Sequence, residues 1–268
     1  MIKILATDLD RTLLPNGKWE GDKDAIPKFN ELCQKNNLVV VYVTGRSLQL
    51  TEKAVAEFGI AYPNILCSDV GTKIYKYQKN QWITDEGWPK QIMKLSPRWS
   101  ANSIKESLAM INNLVEQGEE SQNQFKQSYF IEGSPEDVIA QVKNQIGGKY
   151  DEEIVFSHDP QNNTGLLDVL AASATKQTVL EYIADEYSIP YNQLVFCGDS
   201  GNDALPLTAN FKGVMVKNAD SQLVEQVEIA KQKNPNLQIY HAQGNFQGLN
   251  GYYASGVIEG AFHYGLFS

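Results

Sequence analysis

Residues 38–43 read Leu-Val-Val-Val-Tyr-Val and stop abruptly at Thr44-Gly45-Arg46. A strand with no polar position cannot keep one face in water. It must be covered on both sides, the condition of a central strand in a parallel sheet flanked by helices. The pattern recurs along the chain. A run at Ile2–Thr7 ends at Asp8-Leu9-Asp10, and one at Asn64–Cys67 ends at Ser68-Asp69-Val70-Gly71. Runs at Leu194–Cys197 and Gly213–Val216 end at Gly198-Asp199-Ser200-Gly201-Asn202-Asp203 and at Lys217-Asn218-Ala219-Asp220. Helical segments are predicted between them at 23–35, 48–58 and 176–186, with a last one at 254–264. This alternation predicts an α/β protein with a Rossmann-like parallel-sheet core.

The texture changes after residue 82. Ile104, Leu108, Ile111 and Val115 recur at helical spacing, which predicts a helix over 101–117. A strand follows at Phe125–Glu132. Ser134 and Pro135 then supply an N-cap and a first helical position for a second helix. Another strand is predicted at Glu153–Ser157 and a polar turn at His158–Thr164. The core texture resumes with a short strand at 166–170. The expected division is a core of residues 1–82 and 166–268 carrying an inserted α+β cap, 83–165. Gly244–Gly256, rich in Gly, Asn and Tyr, is expected to be a loop.

A net charge of −9 opposes binding to nucleic acid or to an anionic membrane, so neither is expected as a partner. The longest apolar run, residues 38–43, is far short of the roughly 20 residues of a membrane helix. Asp8 interrupts the apolar N-terminal stretch, so no signal peptide is expected. Cys33, Cys67 and Cys197 are odd in number and widely spaced, which predicts free thiols in a reducing compartment. The protein is expected to be cytoplasmic and unanchored.

In open parallel sheets ligands bind at the carboxyl ends of the strands. There the sequence places Asp8, Asp10, Asp199 and Asp203, which repel one another unless a cation sits among them. Mg²⁺ takes oxygen ligands and keeps some of its waters, so two or three carboxylates and a phosphate oxygen suit it. With Mg²⁺ and Lys176 neutralising a phosphate monoester, Asp8 can attack phosphorus. Asp10 can protonate the leaving alcohol and then deprotonate water. Thr44 and nearby backbone N–H groups can hold the phosphoryl oxygens. The same strand end offers Gly45 and Arg46 to a substrate. Arg46 could equally pair with a structural carboxylate, and Asn218 is either a substrate contact or a turn residue. His158, His241 and His263 are scattered and are expected to be structural.

Asp8-Leu9-Asp10-Arg11-Thr12, Thr44-Gly45-Arg46, Lys176 and Gly198-Asp199-Ser200-Gly201-Asn202-Asp203 resemble, in order, the four motifs of the haloacid dehalogenase superfamily. The resemblance implies a nucleophile and metal ligand at Asp8 and a general acid/base at Asp10, whose backbone carbonyl also reaches the metal. It implies phosphoryl binding by Thr44 and Lys176, and metal ligation by Asp199 and, directly or through water, by Asp203. Thr44-Gly45-Arg46-Ser47, Val70-Gly71-Thr72, Lys126-Gln127-Ser128-Tyr129 and the stretches 197–203 and 214–219 are also similar to sucrose-phosphate phosphatases. That likeness implies a C2-type cap that grips the sugar, with Lys126 and Ser128 as candidate contacts; on an alternating strand they could also face solvent. It implies sucrose 6-phosphate as substrate and a possible association with a sugar-phosphate synthase. Related phosphatases act on mannosylfructose phosphate and aminosugar phosphates. Lys73 stands where these relatives carry Glu, and Ala174-Thr175-Lys176-Gln177 replaces Ser-Asn-Lys-Gly. A non-catalytic sugar-phosphate binder and a phosphotransferase are the rival functions.

Overall fold

The computed structural model describes residues 3–159 and 164–268. The chain opens with β1 (Ile4–Thr7), α1 (Ala25–Lys35), β2 (Val39–Val43), α2 (Leu48–Phe58) and β3 (Ile65–Ser68). A hairpin of β4 (Lys73–Gln78) and β5 (Gln81–Thr84) leads to α3 (Gly87–Leu95) and α4 (Ala101–Leu108). Next come β6 (Leu114–Glu116), β7 (Lys126–Ile131), α5 (Pro135–Ile146), β8 (Glu152–Asp159) and β9 (Thr164–Ala171). The chain then continues through α6 (Lys176–Glu186), β10 (Leu194–Gly198), α7 (Ala204–Leu207) and β11 (Lys212–Met215). It closes with α8 (Ser221–Lys233), β12 (Gln238–His241) and α9 (Ala254–His263).

The larger sheet has the order β12-β11-β10-β1-β2-β3-β4-β5, parallel except for β4 and β5. Its central strands β1, β2, β3 and β10 are buried at nearly every position because both faces are packed. Successive side chains point to opposite faces. Leu5, Tyr42, Val195 and Val214 therefore meet Phe29 of α1 and Val257 and Ile258 of α9. Ile4, Ala6, Val41 and Phe196 meet Trp88 of α3, Leu180 of α6 and Leu223 of α8. Each such fully buried large side chain contributes about 2 kcal/mol.

The smaller sheet, β6-β7-β9-β8, is antiparallel, lies mid-chain and carries α4 and α5 on one face. The molecule is thus an α/β protein with a parallel core sheet and a separate four-stranded sheet inserted mid-chain. Both boundaries expected from sequence fall inside strands. Residues 83 and 84 belong to β5 of the large sheet, and α3 packs there too. Residues 166–171, expected in the core, belong to β9 and pair with β7 and β8.

The helix expected over 101–117 stops at Leu108. Asn113 turns into the left-handed region at φ 67, where Asn is tolerated, and Leu114–Glu116 pairs with β7 as β6. Val115 therefore lies opposite Phe130 on a strand, and its helical spacing is coincidental. The β4–β5 hairpin, α3, α8 and β12 carry no expectation from sequence. The hairpin turns at Lys79-Asn80, both at positive φ, the backbone of a two-residue hairpin loop. Of the segments expected at Ile2–Thr7 and His158–Thr164, residues 2 and 160–163 lie outside the described residues. β8 continues through Asp159 and β9 begins at Thr164. No helix of the described residues is long and apolar enough to cross a membrane. All three cysteines are free and buried, and burial pushes the Cys33 thiol up to about 12.

Candidate active site

The ends of β1 and β10 are neighbours in the sheet, and Asp8 and Asp199 follow directly from them. Asp203 reaches the same spot because the chain turns sharply after Gly198. A Cβ at residue 198 would lie 2.5 Å from the Cβ of Asp203, so only glycine lets the two segments approach this closely. Oxygens of Asp8, Asp199 and Asp203 lie within 4.8 Å of one another, and all three residues are buried.

Each carboxylate is held on several sides. Leu9 N–H donates to Asp8 Oδ1 at 2.7 Å. The hydroxyl of Thr12 donates to Asp199 Oδ1 at 2.9 Å, and Arg11 Nε lies 3.4 Å from Asp199 Oδ2. The N–H groups of Asp199 and Ser200 donate to Asp203 Oδ2 at 3.0 and 3.1 Å. Lys176, at the start of α6 and 1% exposed, lies 3.1 Å from Asp8 Oδ2 and 2.8 Å from Asp203 Oδ1, and it also donates to Asn202 Oδ1 at 3.0 Å.

Burial pushes the Asp8 carboxyl up to about 7; Lys176 opposes the rise, and the charges of Asp203 and Asp10 add to it. Burial also pushes Asp199 well above the usual carboxylate range, with Arg11 opposing and Asp203 and Asp8 adding. For Lys176 burial acts downward, and the charges of Asp203 and Asp8 overcome it, so the ammonium is held charged. Three buried acids crowded together form a donor set that fits a hard divalent cation, whose charge would relieve their repulsion.

Asp10 faces another way. Its carboxylate takes a two-pronged contact from Arg46, Nε to Oδ2 at 2.8 Å and Nη2 to Oδ1 at 2.7 Å, and a hydrogen bond from Asn16 Nδ2 at 2.6 Å. Burial acts upward on Asp10, but the bonds from Arg46, its charge and the bond from Asn16 overcome it, and the carboxyl lies below its usual value. The side chain of Asp10 is therefore outside the triad, which corrects the expectation of four converging carboxylates. Arg46 pairs with Asp10 and also lines the cavity described next.

Thr44 is buried, and its hydroxyl accepts the N–H of Arg46 at 3.2 Å. Gly45 has open space where a Cβ would project. The turn after β3 clamps this segment. Asp69 N–H donates to Arg46 O at 3.0 Å and Val70 N–H to Thr44 O at 2.9 Å, with Asp69, Val70 and Gly71 all at positive φ. Holding β-branched Val70 at φ 64 costs on the order of 1–3 kcal/mol, a strain typical of functional turns.

A cavity of about 580 Å³ opens above the site. Asp8, Asp10, Arg11, Gly45, Arg46 and Asp69 line it from the large sheet, and Gln117, Lys126, Ser128, His158 and Asp168 from the smaller one. Lys126 and Ser128 sit two apart on β7 and so share a face. They are 4% and 1% exposed and turn to the cavity rather than to solvent. The Lys126 ammonium lies 4.0 Å from Asp69 Oδ1 across the two sheets, and the Ser128 hydroxyl donates to Asp168 Oδ1 at 2.5 Å.

Asn218 does not line the cavity. Its amide donates to the carbonyl of Arg11 at 2.6 Å and accepts the N–H of Tyr253 at 3.0 Å, so it ties loops together. Arg11, Asn16, Asp69, His158 and Asp168 were not singled out as site residues by sequence reasoning. Arg11 lies inside a motif already read and Asp69 directly follows the apolar strand β3, but nothing local marks the others.

The model of the family "Sucrose-6F-phosphate phosphohydrolase" matches residues 1–265. The chain belongs to this family. It is a haloacid dehalogenase-type family of sugar phosphatases, and the buried acidic triad agrees with the metal site typical of that superfamily. A HAD-like hydrolase of Nitrosococcus oceani is 33% identical over 97% of this chain and 71% of its own length. Sucrose-phosphatase 2 of Nicotiana tabacum is 29% identical over 98% of this chain, which spans 59% of the tobacco protein. The sucrose-phosphatase of Synechocystis, solved in complex with sucrose and phosphate, superposes with a TM-score of 0.81 at 23% identity, covering 98% of both chains.

Proposed function

We propose that the protein is a Mg²⁺-dependent phosphatase of a disaccharide phosphate, with sucrose 6-phosphate as the preferred substrate. The observation that carries this reading is the buried triad of Asp8, Asp199 and Asp203, bridged by Lys176 and lying beneath a cavity with a polar roof. Asp8, Asp199 and Asp203, with the backbone carbonyl of Asp10, would hold Mg²⁺. The ion supplies positive charge that keeps Asp8 ionised and offsets the charge of the phosphoryl group.

The chain's own groups do the rest. The Asp8 carboxylate forms a bond to phosphorus as the ester P–O bond breaks, and the departing sugar oxygen takes a proton from Asp10. Water then attacks phosphorus, gives its proton to Asp10 and displaces Asp8, which releases inorganic phosphate. Lys176 and the Thr44 hydroxyl hold the phosphoryl oxygens. For the first step Asp10 must carry a proton, which its pairing with Arg46 opposes, so Arg46 releases Asp10 when substrate enters. Residues of the smaller sheet act as a cap, with Lys126 and Ser128 meeting sugar hydroxyls and excluding water.

Support for the disaccharide comes from the family, from the tobacco relative and from the sucrose and phosphate bound by the Synechocystis protein. The test is steady-state hydrolysis of a sugar-phosphate panel with Mg²⁺, including sucrose 6-phosphate, mannosylfructose phosphate and hexose phosphates. Sucrose 6-phosphate should give the highest kcat/KM. Faster turnover of a monosaccharide phosphate overturns the substrate assignment. Absence of Mg²⁺-dependent turnover of any phosphate monoester overturns the enzyme mechanism as well.

A further inference from the structure

Arg11 is joined to the acidic triad in a way the proposed reaction does not use. Its backbone stands in the left-handed region at φ 58 and is fixed at both ends. Its N–H donates to Asn16 Oδ1 at 2.8 Å, and its carbonyl accepts the Asn218 amide at 2.6 Å. Asn218 is braced in turn by Tyr253 N–H at 3.0 Å, so the loop before α9 helps to hold this point. From this anchored backbone the side chain, 23% exposed, lines the cavity and brings Nε to 3.4 Å from Asp199 Oδ2. The other oxygen of Asp199 already accepts the Thr12 hydroxyl at 2.9 Å. A cation that ligates Asp199 must therefore either share Oδ1 with the Thr12 hydroxyl or take Oδ2, which faces the Arg11 guanidinium.

We propose that Arg11 sets the affinity of the triad for its divalent cation, by competing for Asp199 and by repelling the ion. The inference rests on the reading of the triad as a metal site. Its logic is charge balance at short range. Lys176 neutralises one of the three buried carboxylates and Arg11 a second, which leaves one net negative charge for a dication. Without Arg11 two negative charges remain, the number that balances the ion. Partial exposure lets the guanidinium move off Asp199 into the cavity, so the ion is admitted at reduced affinity rather than excluded. Such an arrangement keeps the ion exchangeable.

The test is calorimetric titration of Mg²⁺ into chelator-stripped wild type, Arg11→Asn, Arg11→Gln and Arg11→Lys proteins, with no substrate present. Asn suits a left-handed backbone, Gln keeps more of the side-chain length, and Lys keeps the charge. Melting curves without added ion show which variants are folded. The neutral variants should bind Mg²⁺ roughly tenfold more tightly than wild type, and Arg11→Lys should lie nearer wild type than either. Equal or weaker binding by a folded neutral variant overturns the role of Arg11. Absence of saturable Mg²⁺ binding by wild type itself overturns the metal reading together with this inference.

Discussion

On the floor of the cavity, Asp8, Asp199 and Asp203 stand at the ends of parallel strands or in the turn beyond and repel one another, with Lys176 between Asp8 and Asp203 and Arg11 beside Asp199. On the roof, Lys126 and Ser128 stand on an antiparallel strand, each with a single carboxylate neighbour, Asp69 and Asp168. The floor is one electrostatic unit in which no member can be altered alone, and the roof is a set of separable pairs. The difference teaches where chemistry and selectivity reside. On the proposed function, groups that must stabilise developing charge are locked together, and groups placed to recognise hydroxyls are tuned one at a time.

The comparison breaks first, and most severely, at Asp8. Asp8→Asn should lower kcat by about 10⁴-fold or more while the protein stays folded, because the nucleophile is lost. Activity of p-nitrophenyl phosphate hydrolysis with Mg²⁺ checks it, and it also separates an enzyme from a binder. A smaller break comes from Gly71→Ala. A Cβ there would lie 2.8 Å from the carbonyl of Thr175, the N-cap of the helix that begins with Lys176, on a backbone at φ 99. Displacing Lys176 should cost roughly tenfold to a hundredfold in kcat with little change in KM.

On the roof, Ser128→Ala removes one hydroxyl. KM for the sugar phosphate should rise by about fivefold, the worth of one hydrogen bond, with kcat nearly unchanged. A loss confined to kcat would show that the roof is part of the floor's unit. The smallest effect is on stability. The folded protein holds the Asp8 proton up to about pH 7, whereas the unfolded chain releases it near pH 4. The native state binds more protons between those values, so this group's contribution to stability falls as pH rises through that window. Melting without divalent ions should show Asp8→Asn gaining about 1 kcal/mol over wild type at pH 8 and less at pH 5.

Much of the floor was legible in the sequence, because its residues follow apolar strands directly and the strand order brings their ends together. Gly198 and Asp203, five apart, announce a tight turn. The orientation of Asp10 was not legible. The charge and position of Arg46 are visible, but its choice of partner depends on tertiary geometry. The roof was harder to read. Asp168 meets Ser128 only through the β7–β9 register, set by strands far apart in sequence. The membership of β9 was hidden because its apolar run resembles a core strand until the sheet it joins is known. The hairpin of β4 and β5 was obscured by exposed polar positions on an edge, where burial no longer enforces a pattern.

The account turns on Asp8 taking up the phosphoryl group. Asp10→Asn protein turning over p-nitrophenyl phosphate, whose phenolate leaves without a proton from Asp10, should accumulate that intermediate, since only the second step then loses a group it needs. Acid quenching of this variant during turnover, digestion and mass spectrometry should show one phosphoryl group on the peptide that contains Asp8. An unmodified Asp8 peptide, from protein that still releases inorganic phosphate, would mean that water attacks the substrate directly and would contradict the account.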